Sequence, residues 1–141
     1  MSAGRICRRE VHVATLGESV RAVAQRMREL NLGTVVVKDE RGRPAGILTD
    51  RDIALRVVAE DKDPKMTPVL EVMTSVPKSI PEDTAIESAL ATMRAEKCRR
   101  LPVVGRDGRL VGVLSLDDIL ELLAEEFGTI GGLLRAEEPK R

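Results

Sequence analysis

The chain has 141 residues, with 23 Lys and Arg against 23 Asp and Glu, 43% hydrophobic residues and 33% charged residues. This length fits one domain or two very small ones, and the composition is typical of a folded, soluble protein. A formal net charge of zero, with Phe127 as the single aromatic residue, argues against binding to nucleic acid or to an anionic membrane surface.

The cysteines and the first residues bear on location and metal binding. Cys7 and Cys98 are isolated, so we expect reduced thiols. Residues 1–14 mix charged and apolar residues, unlike a signal peptide, and no stretch approaches the roughly 18 apolar residues that span a bilayer. We therefore predict a cytoplasmic protein. His12 could join the cysteines as a zinc ligand, but their spacing is poor, and we predict no metal site.

The first half of the chain predicts the element order β-α-β-β-α. An extended piece at 11–13 precedes a helix. A β-branched run at 34–37 and a second strand segment at 45–48 flank a turn at 39–42, which together indicate a β-hairpin. A second helix follows. The apolar faces of the two helices are Val20, Val23, Ala24 and Met27 in the first and Ile53, Val57 and Val58 in the second.

The second half repeats this order at an offset of 66 residues. Gly46-Ile47-Leu48-Thr49 aligns with Gly112-Val113-Leu114-Ser115. The equivalent elements are an extended piece at 78–80, a helix with Ile86, Ala89, Leu90 and Met93, a hairpin over 101–114, and a helix with Ile119, Leu122 and Leu123. A unit of about 60 residues is marginal alone, so we expect the two copies to share a core.

These elements define the fold class as α+β, with two tandem β-α-β-β-α repeats packed as a pseudo-twofold pair. We place the first repeat at 6–59, a charged, proline-containing linker at 60–71, the second repeat at 72–127 and a tail at 128–141. Because Gly128, Gly131 and Gly132 interrupt the apolar residues of the tail, we predict a broken helical extension that packs on a neighbour or frays.

The junction between the last strand and the last helix of each repeat carries a resemblance. It reads Gly46-Ile47-Leu48-Thr49-Asp50-Arg51-Asp52-Ile53 and Gly112-Val113-Leu114-Ser115-Leu116-Asp117-Asp118-Ile119. This pattern resembles the CBS domain, a small β-α-β-β-α regulatory unit. Two copies in register resemble the CBS pair, or Bateman module, of stand-alone bacterial proteins.

The resemblance implies a binding function without catalysis and without a required cofactor. Members bind adenosine-containing ligands (AMP, ADP, ATP, sometimes NAD or S-adenosylmethionine) in clefts between the repeats. The hydroxyl residue contacts phosphate and the aspartate holds the ribose diol, which carries over to Thr49 with Asp52 and to Ser115 with Asp118. The same spacing is also that of a capping box, which closes a helix N-terminus without any ligand.

By analogy with family pairs, the two clefts are unequal. The better-equipped cleft combines Thr49 and Asp52 with Arg99 and Arg100, whose guanidinium groups suit phosphate. Replacement of Asp50-Arg51 by Leu116-Asp117 puts tight phosphate binding at Ser115 and Asp118 in doubt, so we predict a single ligand on the Thr49 side. By the same analogy, in the other cleft the backbone near Gly33 and Thr34 contacts the adenine edge, and Val13 and Ile80 form an apolar floor.

Three classes of function remain open. The first is a regulatory adenosine-nucleotide sensor that acts on an effector protein. The second is a dimeric structural or interaction protein with no physiological nucleotide. The third is an enzyme, which we do not predict because no general base with a nucleophile partner is visible. We predict a homodimer, because the helices carry more apolar residues than one two-helix contact needs, namely Ile53, Val57, Ile119, Leu122 and Leu123.

Overall fold

The computed structural model describes residues 1–75 and 78–137, which fold into seven strands and six α-helices within those ranges. In chain order these are α1 (Ala3–Ile6), β1 (Val13–Thr15), α2 (Val20–Leu30), β2 (Thr34–Lys38), β3 (Pro44–Thr49), α3 (Asp50–Ile53), α4 (Val69–Val72), β4 (Thr74–Ser75), β5 (Ile80–Pro81), α5 (Ile86–Glu96), β6 (Arg100–Val104), β7 (Leu110–Ser115) and α6 (Leu116–Ala136). Helix α3 continues as a π-helical segment, Ala54–Val58.

Each repeat forms its own small sheet, and the α+β class is confirmed. The first sheet has the order β1-β2-β3-β4 and the second β5-β6-β7. In both, a parallel pair precedes the predicted hairpin. The hairpin turns place Gly42 at φ 78° and Gly108 at φ 79°, in the left-handed region that glycine adopts cheaply. Strand β1 begins two residues later than the predicted extended piece at 11–13.

Two helices cover these sheets through the predicted faces. Val20, Val23 and Met27 of α2 are buried, as are Ala89 and Met93 of α5. The two helices also end alike, because Asn31 and Lys97 both take left-handed backbone angles just past the last turn. These two residues are 66 apart in the sequence, so equivalent positions of the two repeats also have matching backbone angles.

The first residues of each repeat pack against the other repeat, so that the two repeats exchange their first segments. Ala3 of α1 is fully buried in the second repeat, and Arg8 forms a backbone bridge with Val113 that extends the edge of β7. Val69 and Val72 of α4 are buried in the first repeat, and β4 pairs with β3. The predicted linker is thus exposed over 60–66, whereas its last residues fill the core of the first repeat.

The buried apolar side chains form two clusters, which corrects the expectation of one shared core. The first contains Ala14, Val20, Val23, Met27, Val35, Val37, Leu48, Val57, Val69 and Val72. The second contains Ala3, Ile80, Ala89, Met93, Leu101, Val103, Leu114 and Ile119. The exchanged segments supply the apolar area that each 60-residue unit would otherwise lack, so each repeat closes its own core.

The C-terminal helix corrects two further expectations. Helix α6 runs unbroken from Leu116 to Ala136, through all three glycines of the predicted tail. Of the apolar residues expected to be in surplus, Val57 and Ile119 are buried in the cores, and Ile53 is half-buried. Leu123 of that set is exposed, and so are other apolar side chains, among them Leu55, Val58 and Leu120. Within the described ranges, no helix combines the length and hydropathy needed to cross a membrane.

Candidate functional site

The two motif aspartates close the N-termini of their helices. Thr49 Oγ1 accepts a hydrogen bond from the Asp52 N–H at 3.2 Å, and Asp52 Oδ2 accepts one from the Thr49 N–H at 3.0 Å. Ser115 and Asp118 form the same reciprocal pair at 3.1 and 3.2 Å. Both capping boxes are therefore present, and each uses only one oxygen of its aspartate.

The second oxygen of Asp118 faces a cation from the start of the chain. Arg8 Nε donates to Asp118 Oδ1 at 3.0 Å, and this contact raises the pKa of the Arg8 guanidinium. The Asp118 side chain is only 9% exposed, whereas that of Arg8 is 71% exposed. The backbone of Arg8 is held by its bridge to Val113, while its side chain reaches Asp118 from solvent.

The equivalent aspartate of the first repeat has a different partner. Asp52 Oδ1 lies 3.7 Å from Nη1 of Arg56, one helical turn further along the same segment. Arg56 also donates to the carbonyl of Val72 and to Thr74 Oγ1. Because Thr74 occupies the position equivalent to Arg8 at the 66-residue offset, the two repeats are built alike here but carry different charges.

A cavity of about 430 Å³ lies between the repeats, beside Asp118. This size falls within the usual range for small-molecule sites. Its lining joins both halves of the chain and consists of Arg8, Glu10, Val11, His12, Asn31, Leu32, Gly33, Thr34, Val36, Arg100, Val113, Ser115, Asp117 and Asp118. The cavity therefore offers apolar walls together with charges of both signs.

The structure brings five of the ten predicted site residues into this cavity: Gly33, Thr34, Arg100, Ser115 and Asp118. Thr34 is accessible there because β1 pairs with β2 only from Val36 onward. Arg100 lies next to Ser115 because the two are partners in the β6-β7 register. One cleft thus contains residues that the sequence analysis divided between two.

The lining of this cavity does not include the other five predicted residues, Thr49, Asp52, Arg99, Val13 and Ile80. The combination of Thr49 and Asp52 with Arg99 and Arg100 stays a prediction. Arg99 is held by Asp117 of its own repeat, with Nη2 at 3.3 Å from Oδ1. Ile80 is buried in the second core, and Val13 pairs with Val36 in the first sheet. The apolar walls of the cavity are instead Val11, Leu32, Val36 and Val113.

Arg8 and His12 line the cavity and were not predicted as site residues. A signal for Arg8 was present in the sequence, because the 66-residue offset continues upstream and aligns Arg8 with Thr74, immediately after α4. His12 lies on the chain just before β1, and sequence analysis gave no reason to place it against the second repeat.

Within 1–75 and 78–137, no group of three or more His, Cys, Asp or Glu side chains is arranged to hold a metal ion. Cys7 and Cys98 are free and partly buried, and burial raises the pKa of each thiol.

Comparison with known proteins finds one family match in each half of the chain. The CBS domain family matches residues 3–59 and again 69–125. The uncharacterized protein MK0525 of Methanopyrus kandleri is 33% identical over 122 residues, covering 86% of this chain but 62% of its own length. The CBS domain-containing protein YhcV of Bacillus subtilis is 36% identical over 110 residues, covering 78% of this chain and 76% of its own.

Solved structures share the fold. Hypoxic Response Protein I, described with two coordinated zinc ions, is 30% identical with a TM-score of 0.75 and covers 86% of this chain and 98% of its own. The CBS domain protein PAE2072 of Pyrobaculum aerophilum, complexed with AMP, is 27% identical with a TM-score of 0.72, covering 88% and 99%.

A third structure carries two ligands. The CBS domain pair of MJ0100, in complex with 5'-methylthioadenosine and S-adenosyl-L-methionine, is 25% identical with a TM-score of 0.73, covering 87% and 99%. The family matches fall on the two repeats at the same 66-residue offset as their sequences, cores and capping boxes. The chain therefore belongs to the CBS domain family and carries its domains as a tandem pair.

Proposed function

We propose that this protein is a non-catalytic regulatory module that binds an adenosine-containing small molecule in the cavity beside Asp118. One observation carries the proposal: a single cavity joins Gly33 and Thr34 of the first repeat to Ser115 and Asp118 of the second. CBS pairs are commonly regulatory, and two solved relatives hold AMP, methylthioadenosine or S-adenosylmethionine. The ligand classes we expect are AMP, ADP and ATP, then NAD and S-adenosylmethionine.

In this proposal the ribose is held by the oxygen of Asp118 that faces Arg8. The capping box uses Oδ2 alone. Oδ1 can therefore accept hydrogen bonds from the ribose hydroxyls while the capping box stays intact. A ligand there competes with Arg8 for Oδ1. Because Arg8 is exposed, the cost of displacing its side chain is small.

In this proposal the phosphate and the base bind to different parts of the cavity lining. Arg8 and Arg100 provide guanidinium groups, which bind phosphate oxygens in a planar, two-pronged geometry. The backbone of Thr34, which precedes the part of β2 that pairs with β1, provides hydrogen-bonding groups for the adenine edge. Leu32 and Val36 pack against the base, and since aliphatic walls orient a base weakly, we expect micromolar or weaker binding.

The proposed module acts through other proteins. We propose a cytoplasmic homodimer whose ligand state changes its shape or association and so its contact with an effector protein. This places the response outside the chain itself, in a partner that recognises one of the two states.

The ligand site is tested by thermal shift with AMP, ADP, ATP, NAD, S-adenosylmethionine and a guanosine control. A ligand at 100 times its dissociation constant adds about 2.7 kcal/mol to the free energy of unfolding. The variant Asp118→Asn keeps a carbonyl oxygen that can accept the hydrogen bond from the Ser115 N–H. Its amide nitrogen, however, cannot accept hydrogen bonds from the ribose hydroxyls. We expect it to lose the shift.

The matched control is Asp52→Asn, which alters the equivalent capping box in the first repeat. It should keep the full ligand shift, since Asp52 lies outside the cavity lining. Loss of the shift in Asp52→Asn alone would place the ligand in the other cleft, as the sequence analysis predicted. A wild-type protein that responds to none of the nucleotides would instead be a dimeric structural or interaction protein.

A further inference from the structure

Helix α6 extends well beyond the second repeat and carries apolar side chains that are left exposed by the part of the chain that the structure describes. It ends at Ala136, eleven residues after the family match ends at 125. Six of its large apolar side chains are between 45% and 70% exposed: Leu120, Leu123, Phe127, Ile130, Leu133 and Leu134. Toward the body of the protein, the same helix is anchored by the buried Ile119.

The exposed residues follow the spacing of a coiled coil. Leu120, Leu123, Phe127, Ile130 and Leu134 are separated alternately by three and four residues, which places them in one stripe along the helix. We call these five residues the α6 stripe. A stripe with this spacing fits a second helix with the same spacing, because each side chain inserts between four side chains of the partner.

We propose that the α6 stripe pairs with the α6 stripe of a second copy of this chain in antiparallel orientation. The inference is independent of ligand binding and gives the proposed homodimer a defined surface. It also accounts for the end of the helix, where three glycines, poor helix formers, lie within residues 128–136 and yet the helix continues.

Charge favours the antiparallel orientation. The first half of α6 is acidic, with Asp117, Asp118, Glu121, Glu125 and Glu126, whereas residues 127–136 contain no acid and include Arg135. A parallel pair would place the two acidic halves side by side. An antiparallel pair places each acidic half against the neutral to basic half of its partner, and it also opposes the helix dipoles.

The exposed area fits a second copy. The five residues of the α6 stripe present on the order of 500 Å² per chain, at the upper end of what monomers leave in one patch. Two copies would then bury about 1,000 Å² in total, the lower bound for a specific interface. The acidic charge of the helix disfavours the alternative of an anionic lipid surface.

The surface is tested on the full chain by sedimentation equilibrium across the micromolar range. Wild type should sediment at twice the mass of the chain. Ile130→Glu/Leu134→Glu places two charges in the stripe and should raise the dimer dissociation constant at least about 100-fold. The control Thr129→Glu/Ala136→Glu adds the same charges to the same helix outside the stripe and should leave the constant unchanged.

The outcomes separate this surface from the dimer and from the ligand site. A monomeric wild type would overturn both the homodimer and the pairing. A double variant that stays as dimeric as wild type would overturn the pairing alone. Nucleotide thermal shifts, measured on the same samples, report the ligand site independently.

Orientation is tested by oxidative crosslinking, with the unsubstituted chain reporting any crosslinks through Cys7 and Cys98. We place Leu120 in one layer with the partner's Ile130, and Leu123 in one layer with the partner's Phe127, so Leu120→Cys/Ile130→Cys should give a covalent dimer. Leu134→Cys alone should not, because only a parallel pair brings the two copies of that residue together. A covalent dimer of Leu134→Cys would overturn the antiparallel orientation whatever the double variant gives, because a parallel pair also brings together the matching cysteines of the double variant.

Discussion

At the scale of single residues, the glycine that opens each CBS motif makes room for an exchanged segment. A Cβ at Gly112 would lie 2.5 Å from the Arg8 carbonyl oxygen and 2.9 Å from Cys7 Sγ. A Cβ at Gly46 would lie 2.5 Å from Met73 Sδ and 2.8 Å from the Thr74 carbonyl oxygen. In both repeats the glycine lets backbone from another part of the chain approach the last long strand.

Gly112→Ala should therefore destabilise the protein by about 2–4 kcal/mol, because the Arg8 backbone has to move to relieve the clash. Urea denaturation followed by circular dichroism measures the effect. The control is Gly128→Ala, where a Cβ meets open space within a helix, and which should be neutral or stabilise by up to about 1 kcal/mol. Equal stability of the two variants would contradict this role for Gly112.

The sequence alone predicted the motif residues but not all of their partners. The hydroxyl and aspartate of each junction were identified from spacing, and the capping box was considered there, because both depend on residues three apart. The ion pair between Arg8 and Asp118 joins residues 110 apart and depends on where the first segment of the chain docks. Spacing along one helix contains no information about that docking.

At the scale of elements, an ion pair joins the first strand to the first long helix. Arg26 of α2 donates to the carboxylate of Glu18 and to the Val13 carbonyl of β1. Glu18 Oε2 also accepts from the Thr15 N–H at 2.8 Å. The hydrogen bond from Arg26, more than that from Thr15, lowers the pKa of Glu18.

This ion pair predicts a pH dependence. Because the pKa of Glu18 is lower in the folded state, its contribution to stability is present above its unfolded pKa, about 4.3, and is lost as the pH falls through the folded value. Glu18→Gln should lower the melting temperature at pH 7, and its difference from wild type should narrow toward pH 3. Glu29→Gln, on the exposed surface of α2, should show little difference at either pH. A constant gap for Glu18→Gln from pH 7 to pH 3 would exclude the ion pair as its cause.

Secondary structure was predictable where local pattern decides it. Apolar periodicity located α2 and α5, and glycines located the two hairpin turns, because these signals lie within a few residues of each other. The end of α6 was predicted wrongly, since its glycines indicated a break. Glycine weakens a helix without preventing it, and no proline interrupts residues 116–136, so the backbone continues.

At the scale of the whole molecule, the site depends on how two similar halves face each other. The sequence showed two repeats and predicted clefts between them. It assigned Arg99 and Arg100 to the Thr49 side by analogy, and Arg100 also lines the cavity that contains Ser115 and Asp118. Which residues share a cleft is set by the packing of one repeat on the other, and no local pattern encodes that arrangement.

The exchanged ends make the two repeats dependent on one another. The first segment of the chain completes the second repeat, and α4 and β4, which precede the second repeat, complete the first. A cut in the chain between the two repeats would therefore remove from each core the side chains that the other part of the chain contributes to it. We expect unfolding of the intact chain to be a single cooperative transition.

Ala3→Asp tests this dependence in the intact chain. The substitution places a carboxylate at a fully buried position of the second core, so the free energy of unfolding should fall by about 3 kcal/mol or more. Hydrogen exchange should show lost protection in α5, β6 and β7, which lie far from residue 3 in sequence, before α2 and β2 are affected. Arg5→Asp, at an exposed position of the same short helix, should leave both stability and exchange near wild type. Lost protection confined to the first repeat would contradict the exchange, because Ala3 would then be stabilising its neighbours in sequence rather than the core that it fills.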